Sequence, residues 1–481
     1  MRKNPLNLPS RRSDNMRDNH IKIEPFEILN LLTLSSEQEV NTHGTVSFSG
    51  VIPNDKAFDY LSMGFGSTWV EISAVTEDDT EHLWFNGIIT SLKIESTNDV
   101  NVIHVTAKTG SYLMDSTLHT RSYQESSITY DSVLASYSND YPNGNFIMRQ
   151  GSGSPINNLV MQYRETDWAF TKRLASHFST VAIPDSKVGG VKYYLGIQPS
   201  SPVATIESRI FQMHIDMEEF HYKRNRGADV SEQDMLYHVL RHRDIFSLGD
   251  HITLNGRSLY INRITTEYEG AEMWHTYYLK PIAGFRCPKE YNLCAIGASF
   301  SGCILEIMRD LVKIGISNDE NVGNCGTRWF PYSTVYSSPD GTGWYCMPEI
   351  GDTIRMYCPD EDEAGAYVIS STHLESSDSS ERSNPDFKSI MNKHHKEILF
   401  TPDSLVITNN AGMSISLLDD EGIRIVSDKN IYIESEEAIQ IISANNDISV
   451  YAPNEILLQQ GETVTQIREN IAFAGAQVHV T

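Results

Sequence analysis

Short runs of alternating or β-branched apolar residues dominate the first part of the chain. They include residues 46–51, 69–72, 85–94 and 102–107, and turn residues separate them. Apolar residues at every second position bury one face of a strand in a core. Residues 21–119 are therefore predicted to form a small all-β barrel.

Helical spacing replaces this pattern between about residues 120 and 196. The clearest helix is predicted to begin at Thr166 and Asp167, residue types that are favoured at helix N-caps. The apolar residues that this spacing places on one helix face are Trp168 or Phe170, Leu174 and Phe178. Residues 120–245 are predicted to be a helical or mixed insertion.

Strand-like runs return in residues 246–296, and their order repeats that of the first barrel. The three segments 66–70, 85–95 and 102–107 align loosely with the segments 249–250, 259–267 and 274–279. This repetition predicts a second small barrel in residues 246–296. The two barrels are then copies of one another, and the insertion separates them along the chain.

A different strand-and-turn unit follows in residues 297–375. About five short strands in some 75 residues suit a small Greek-key barrel of the OB type. Many OB folds bind oligonucleotides, but the acidic turn at 360–363 disfavours that function here. Fold by itself does not determine function.

Apolar doublets recur near the C-terminus, after a polar linker or neck at 376–397. Their starts are separated by eight, nine and eight residues. The doublet residues are Ile431, Ile433, Ile439, Ile441, Ile448, Val450, Ile456 and Leu458. Each doublet predicts a short strand with one apolar face, and charged or Asn-rich turns separate the strands.

One short strand per repeat cannot enclose a core, because single-chain solenoids need about 20 residues or more per coil. An eight-residue period instead indicates several chains that wind together and bury their apolar faces against one another. Residues 398–481 are therefore predicted to form a β-prism or β-helix needle in an intertwined trimer. The eight doublet residues are its predicted core.

Composition narrows the classes of function. The chain has 38 Lys and Arg against 63 Asp and Glu residues, a formal net charge of −25, whereas gripping nucleic acid needs a basic surface. No apolar run approaches the roughly 20 residues that span a bilayer. Residues 1–20 lack the apolar segment of a signal peptide. We expect a flexible N-terminal arm, synthesis in the cytoplasm and no nucleic-acid partner.

Three segments of the sequence resemble the VgrG-like spike proteins of contractile injection systems, which join relatives of the T-even phage hub and tail-needle proteins in one chain. Residues 162–174 are similar to the hub motif. The W-F-P at 329–331 and the G-W-Y-C-M-P-E-I-G-D at 343–352 are similar to the OB-fold signature. Residues 384–398 and 412–415, with the doublets after them, are similar to the neck and the β-prism needle.

The resemblance implies a homotrimer whose two barrels per chain form a pseudo-sixfold ring. Its implied partners are a hexameric inner-tube protein, baseplate proteins, a PAAR-type tip protein and possible effector cargo, with transient contact to the target membrane. The spike would be assembled into the particle and expelled toward a target cell. A type VI secretion system, an extracellular injection particle, a bacteriocin and a phage tail all stay open as the machine that it serves. Ser370, where many relatives have glycine, departs from the pattern.

The end of the needle is predicted to be a binding surface for the tip protein. Small and apolar residues replace the charged turns there, and the candidates for cap binding are Phe473, Gly475, Val478, His479 and Val480. Three apolar ends with open strand edges form a surface that soluble proteins normally cover. The alternative is closure by a metal ion on the axis, held by three copies of His479.

Candidate catalytic and metal-binding patterns are weak. His238 and His242 have the spacing of a zinc-binding helix but lack the Glu of H-E-x-x-H, and His394 with His395 is expected to face solvent or a trimer contact. The acidic run 419–421 is interpreted as a charged turn rather than as the pair of catalytic carboxylates of a glycosidase. We therefore expect no catalytic centre and no cofactor, the alternative being a phage or bacteriocin tail protein that degrades cell-surface polysaccharide.

Six cysteines lie in one stretch without a C-x-x-C pair, which disfavours a zinc site. They are Cys287, Cys294, Cys303, Cys325, Cys346 and Cys358. We expect reduced, mostly buried thiols, and a bridge formed after export is the alternative.

Overall fold

The structure, a computed structural model, describes residues 20–64, 66, 68–75, 81–270, 272–369, 383–469 and 471–474. The chain divides into two compact units, unit 1 within residues 1–373 and unit 2 within residues 374–481. Both consist mainly of β-strands, as predicted. Across the described residues, no helix has the length and apolar character needed to cross a lipid bilayer.

The helices of unit 1 are α1 Ala57–Leu61, α2 Tyr130–Ser138, α3 Asp167–Ser176 and α4 Met217–Asn225. Its strands before the OB-type region are β1 His20–Glu24, β2 Asn30–Glu39, β3 Thr45–Ile52, β4 Trp69–Val75, β5 Glu81–Thr97, β6 Val100–Lys108, β7 Leu118–Tyr123, β8 Asn145–Met148, β9 Val160–Thr166, β10 Ala182–Pro184, β11 Lys192–Leu195, β12 Ala204–Ile206, β13 Gln212–Ile215, β14 Leu236–His242, β15 His251–Leu254, β16 Arg257–Glu269 and β17 Glu272–Lys280.

The remaining strands of unit 1 are β18 Ser299–Met308, β19 Leu311–Ile316, β20 Phe330–Pro331, β21 Thr353–Tyr357 and β22 Tyr367–Ile369. The strands of unit 2 are β23 Lys388–Met391, β24 Glu397–Thr401, β25 Ser404–Thr408, β26 Ser414–Leu418, β27 Gly422–Val426, β28 Ile456–Gln460, β29 Thr463–Ile467 and β30 Ile471–Ala474.

Strands β1 to β6 form the first half of a large sheet. Alternation of apolar residues along β3 and β6 gives each strand one buried face, with Val46 and Phe48 on β3 and Ile103 and Val105 on β6. Phe48 lies directly opposite Val105 in the antiparallel register. These side chains belong to one core beneath the first half of the sheet.

The second half of the same sheet repeats the first strand by strand. Neighbouring strands follow the order β1-β4-β5-β6-β3-β2 in the first half and β12-β15-β16-β17-β14-β13 in the second. The pair Glu95–Val102 corresponds to the pair Glu267–Trp274, as the sequence alignment predicted. One difference is that β12 pairs with β15 in parallel, whereas β1 pairs with β4 antiparallel. The predicted duplication is confirmed, and the second half has its own core.

A single seam joins the two halves. Strand β2 pairs antiparallel with β16, from Glu39 opposite Arg263 to Ser35 opposite Glu267. The guanidinium of Arg263 also lies 2.6 Å from the carboxylate of Glu37. We call this pairing of β2 with β16 the intrachain seam.

Strand pairing also corrects two expectations from the sequence. Strands β12, β13 and β14 belong to the second half of the sheet, although their residues lie in the range 120–245 assigned to the insertion. His238 and His242 lie on strand β14 rather than on a helix. Four residues of strand span about 13 Å, so these two imidazoles cannot share one metal ion.

The insertion packs α2 and α3 around an aromatic core. Helix α3 begins as predicted, because the Thr166 hydroxyl accepts a hydrogen bond from the Ala169 N–H. Trp168, Phe170 and Leu174 are buried, as the helical spacing indicated. The insertion is therefore a compact body with its own core rather than a loop.

Strands β18 to β22 form a small closed sheet. They pair in the order β20-β19-β18-β21-β22. The two ends meet where Tyr332, just after β20, forms a parallel bridge to Val368 in β22, and the Ser333 N–H donates to the Val368 carbonyl at 2.7 Å. Ile314 and Phe330 are fully buried inside. This arrangement agrees with the five-stranded barrel of the OB type that the sequence predicted.

Unit 2 contains two separate antiparallel sheets. Strands β23 to β27 pair in chain order, and strands β28 to β30 form a second, three-stranded sheet. Residues 427–455 connect the two sheets, and the structure assigns no strand within them. All residues of this connection are described, so its lack of strand pairing is a property of the single chain.

Candidate assembly interface

One face of the first unit 2 sheet is a ladder of exposed apolar side chains. Five isoleucines, one on each strand, lie directly opposite one another across neighbouring strands: Ile390, Ile398, Ile407, Ile415 and Ile425. Their exposed fractions range from 37% to 57%. Large contiguous apolar patches on a soluble protein mark interaction surfaces. We call these five residues the isoleucine ladder.

A second apolar row runs beside the ladder on the same face, two positions along four of the strands. It consists of Phe400, Leu405, Leu417 and Ile423. The sequence interpretation did not single out this face. The sequence does contain a pattern that could have predicted this face. Apolar doublets at positions i and i+2 (398/400, 405/407, 415/417 and 423/425) extend the repeat upstream of residue 431.

The predicted core residues of the needle are exposed in the single chain. Their exposed fractions run from 53% to 74% for Ile431, Ile433, Ile439, Ile441, Ile448, Val450 and Leu458. Six of these seven lie in the connection 427–455, where no intrachain strand pairs with them. The backbone and the apolar side chains of this segment therefore both lack their normal β-sheet environment within one chain. Whether three copies supply that environment stays a prediction.

The structure describes only part of the predicted tip. Phe473 lies on β30, where its backbone pairs with that of Thr465 on β29. The other tip candidates, Gly475, Val478, His479 and Val480, lie outside the described residues. The cap-binding surface and the axial metal site at His479 are thus both untested.

A buried ion network fixes the OB-type barrel to the insertion within unit 1. Arg173 on α3 lies 3.0 Å from the Glu165 carboxylate and 2.9 Å from the Glu363 carboxylate, and it also donates to the Met161 carbonyl. Burial raises the pKa of Glu165 above its usual value, although the Arg173 guanidinium opposes that shift. Glu363 belongs to the acidic run 360–363, which the sequence analysis interpreted only as a surface turn.

Apolar contacts reinforce the same junction. Leu159 immediately precedes β9 of the insertion and Met161 lies within it, yet both are buried in the core of the OB-type barrel. The rings of Tyr163 and Phe300 meet edge to face, with centroids 4.7 Å apart. The barrel and the insertion therefore share one core.

Strand β17, which pairs with β16 of the intrachain seam, contains a buried histidine that predicts acid sensitivity. His275 is 1% exposed and its Nδ1 lies 2.8 Å from the Thr266 hydroxyl, while its Nε2 has no hydrogen-bond partner among the described residues. Burial lowers its pKa to about 4. The unfolded chain binds a proton near pH 6.5, so the free energy of unfolding should fall by about 3 kcal/mol between pH 6.5 and 4 through this residue.

The measurement is urea unfolding across this pH range for the wild type and His275→Gln. The slope of stability against pH should become shallower in the variant, although His177, whose pKa burial lowers to about 3, still contributes. The matched control is His82→Gln, because His82 is exposed. An unchanged slope for His275→Gln would contradict the assignment.

Among the described residues, one cluster resembles a catalytic triad, but its serine is buried. His43 Nδ1 lies 2.8 Å from the Ser111 hydroxyl, and His43 Nε2 lies 2.7 Å from the Asp115 carboxylate. A Ser–His–Asp set acts only when the serine reaches a substrate, whereas Ser111 is fully buried. The cluster therefore lacks the accessible serine that such a set requires, and its hydrogen bonds connect His43 to Ser111 and Asp115.

The remaining candidate residues from the sequence lie in a turn, on the surface or in a core. The acidic run 419–421 forms the turn between β26 and β27, as predicted, and His394 and His395 are exposed. Trp168 is buried in the insertion, whereas Trp344 is 57% exposed. Within the described residues, no three His, Cys, Asp or Glu side chains are grouped so that they could hold a metal ion.

All six cysteines are free thiols in the structure. Only Cys358 is buried, while Cys294 and Cys346 are exposed. The expectation that most of the thiols are buried is wrong. The reason is that five of the six cysteines lie outside the strands, and only Cys303 lies within one, on β18.

Comparison with solved structures supports the fold of the chain. No protein-family model matches the sequence, and no curated protein is similar to it. A solved structure of the Escherichia coli c3393 protein, described as a type VI secretion component with structural similarity to the T4 bacteriophage tail proteins gp27 and gp5, matches with a TM-score of 0.52 and 13% identity over 73% of this chain and 99% of that chain.

Two structures of the Francisella PdpA-VgrG complex are also similar. The half-lidded form matches with a TM-score of 0.52 and 12% identity over 84% of this chain and 87% of that chain. The lidless form matches with a TM-score of 0.50 and 11% identity over 82% and 93%. The chain thus shares the fold of proteins from type VI secretion systems, as the sequence resemblance implied.

Proposed function

We propose that this chain is the central spike of a contractile injection system. In this proposal a VgrG-like homotrimer links the hexameric inner tube and the baseplate to a puncturing tip, and it pierces the target envelope when the sheath contracts. The observation that carries the proposal is the exposed apolar surface of unit 2. The isoleucine ladder and the doublets in 427–455 require burial that one chain does not provide.

The repeat and the duplicated barrel both support the proposed trimer. Three copies contribute one doublet strand each per layer, which suits a prism with three walls and a dry centre. Three copies also contribute six barrel halves, which equals the number of subunits in a hexameric inner tube. The proposed tube and baseplate contacts belong to unit 1, and the proposed puncturing part belongs to unit 2.

The proposed partner at the end of the needle is a small conical cap protein of the PAAR type. Three copies of the segment 471–481 would present small and apolar residues together with open strand edges, which a cap would cover. The alternative is an ion held by three His479 side chains. Effector cargo and a brief contact with the target membrane are further proposed interactions, and assembly is proposed to take place in the cytoplasm.

Deleting residues 473–481 should leave the trimer intact while the cap protein no longer co-purifies and delivery fails. The reason is that the doublets at 431–458, and not the tip, hold the three chains in this proposal. Analytical ultracentrifugation measures the trimer, and affinity capture of a tagged cap protein measures the partner.

The matched variant for this deletion is His479→Ala. A cap surface made of apolar residues should retain its partner in His479→Ala, whereas closure by metal would lose a bound ion and thermal stability. A deletion variant that still delivers its cargo would contradict the whole proposal for the tip.

The proposed spike works without a catalytic centre. The segment between the OB-type barrel and the needle, 376–397, is shorter than the roughly 40 residues that an independent domain needs. A polysaccharide-degrading tail protein is the competing class. Turnover of peptidoglycan or capsule by the purified chain, lost on mutation of one of its acidic residues, would favour that class instead.

A further inference from the structure

We infer that the intrachain seam is repeated between chains, with β13 of one copy paired antiparallel to residues 91–95 on β5 of a second copy. This inference rests on the proposed homotrimer and identifies two surfaces through which its copies meet. It concerns unit 1 alone and does not involve the needle.

Strands β13 and β5 are equivalent, in the other half of the sheet, to the two strands that form the intrachain seam. By strand order, β13 in the second half corresponds to β2 in the first, and β5 in the first half corresponds to β16 in the second. Strands β2 and β16 pair with each other inside the chain. Among the described residues, β13 pairs only with β14, and residues 91–95 pair only with β6. Each therefore has an open edge at the place where its counterpart has a neighbour.

The bulges fix the correspondence between β5 and β16. Against the following strand, β5 bulges at Thr90 and β16 bulges at Asn262. Counting from the two bulges, Ile94 in β5 corresponds to Thr266 in β16. A bulge is a specific local feature that the pairing pattern locates within one residue, so this correspondence does not depend on sequence similarity.

The correspondence between β2 and β13 follows from the pairing across each half. Ser36 on β2 lies opposite Val46 on β3, and Met213 on β13 lies opposite His238 on β14. Val46 and His238 occupy equivalent positions in the two halves of the sheet. Each lies opposite a residue of the neighbouring strand, and that residue lies opposite the one just before the bulge. Met213 therefore corresponds to Ser36.

The register between two chains follows from these correspondences. Inside the chain, Ser36 lies opposite Thr266. The equivalent pair between chains places Met213 opposite Ile94 of the second copy. The antiparallel register then places Ile215 opposite Leu92 on the same face.

The side chains at these positions support the register independently. Met213 and Ile215 are 54% and 49% exposed on an edge strand, a feature that natural proteins normally protect. Leu92 and Ile94 are partly buried against the core of the first half. The register thus brings apolar residues opposite apolar residues, and a shift by one residue would place polar residues of β5 opposite them instead.

A cysteine pair tests the contact. Directly opposite residues on antiparallel strands have Cα atoms about 4.5–5.5 Å apart, within the range that a disulfide spans. The variant Met213→Cys with Ile94→Cys, in a chain whose exposed Cys294 and Cys346 are changed to Ser, should form disulfide-linked dimers and trimers on mild oxidation. Reduction should return all of the protein to the single-chain band on denaturing gels.

The controls separate this inference from the proposed function. Each single cysteine variant should stay unlinked, and so should Met213→Cys with Glu95→Cys, because that second position lies on the other face of β5. Sedimentation of the same samples reports the number of chains independently. A trimer in solution whose Met213–Ile94 cysteine pair stays unlinked would overturn the inference and leave the proposed function standing. A monomer in solution would overturn both.

Discussion

Changing Ile441 and Val450 together to aspartate should convert the trimer to monomers. Both side chains are exposed in the single chain, at 74% and 70%, and we propose that three copies bury them on a common axis. Six carboxylates would then meet in two apolar layers. An unpaired buried charge costs roughly 3–5 kcal/mol, so the variant should lose assembly completely. Sedimentation velocity at micromolar concentration measures this loss.

The matched control places the same charges on the other face of the same strands. Gln440→Asp with Ser449→Asp changes the residues between the doublet positions, which point away from the proposed axis. This control should remain trimeric. A double aspartate variant at Ile441 and Val450 that still sediments as a trimer would refute the assignment of the needle core.

Changing Arg173 to methionine should destabilise unit 1 by roughly 3–5 kcal/mol, because breaking a buried pair leaves uncompensated charge. The guanidinium is 3% exposed and contacts both Glu165 and Glu363, whose side chains are also largely buried. The midpoint of urea unfolding measures the effect. The control Arg286→Met removes an exposed arginine paired with exposed Asp229, and it should change stability by no more than about 1 kcal/mol.

Two further measurements identify the cause of the Arg173 effect. Burial already raises the pKa of Glu165, so the deficit of Arg173→Met should shrink as the pH falls from 7 toward 5 and the Glu165 carboxyl group takes up a proton. Adding Glu165→Gln and Glu363→Gln should restore part of the lost stability for the same reason. A deficit that is independent of pH and is not rescued would mean that packing rather than charge is responsible.

Local pattern was enough to predict the strands of the first barrel, the start of α3 and the repetition of the barrel. These features depend on neighbours in sequence: alternation creates a buried strand face, and the Thr166 hydroxyl caps the N–H group three residues later. The alignment of Glu95 with Glu267 also succeeded, because both duplicated hairpins retain one bulge at the same distance from it.

Predictions failed where a neighbour came from far along the chain. The strands β12 to β14 lie in the range that the sequence analysis assigned to the insertion, and only their pairing with β15 to β17 places them in the second barrel half. His238 and His242 had a helical spacing by coincidence, since strand pairing with β17 determines the backbone there. Tertiary context overrides weak local preference in such segments.

The sequence by itself therefore determined the strand content, the duplication, the cap of α3 and the doublet repeat, because alternation and capping act over a few residues. Only the tertiary structure decided that Glu363 of an acidic turn pairs with Arg173, 190 positions away, and that the isoleucines of β23 to β27 line up on one exposed face. Burial and register arise when distant segments meet, and the pattern of a single segment does not specify which segments these are.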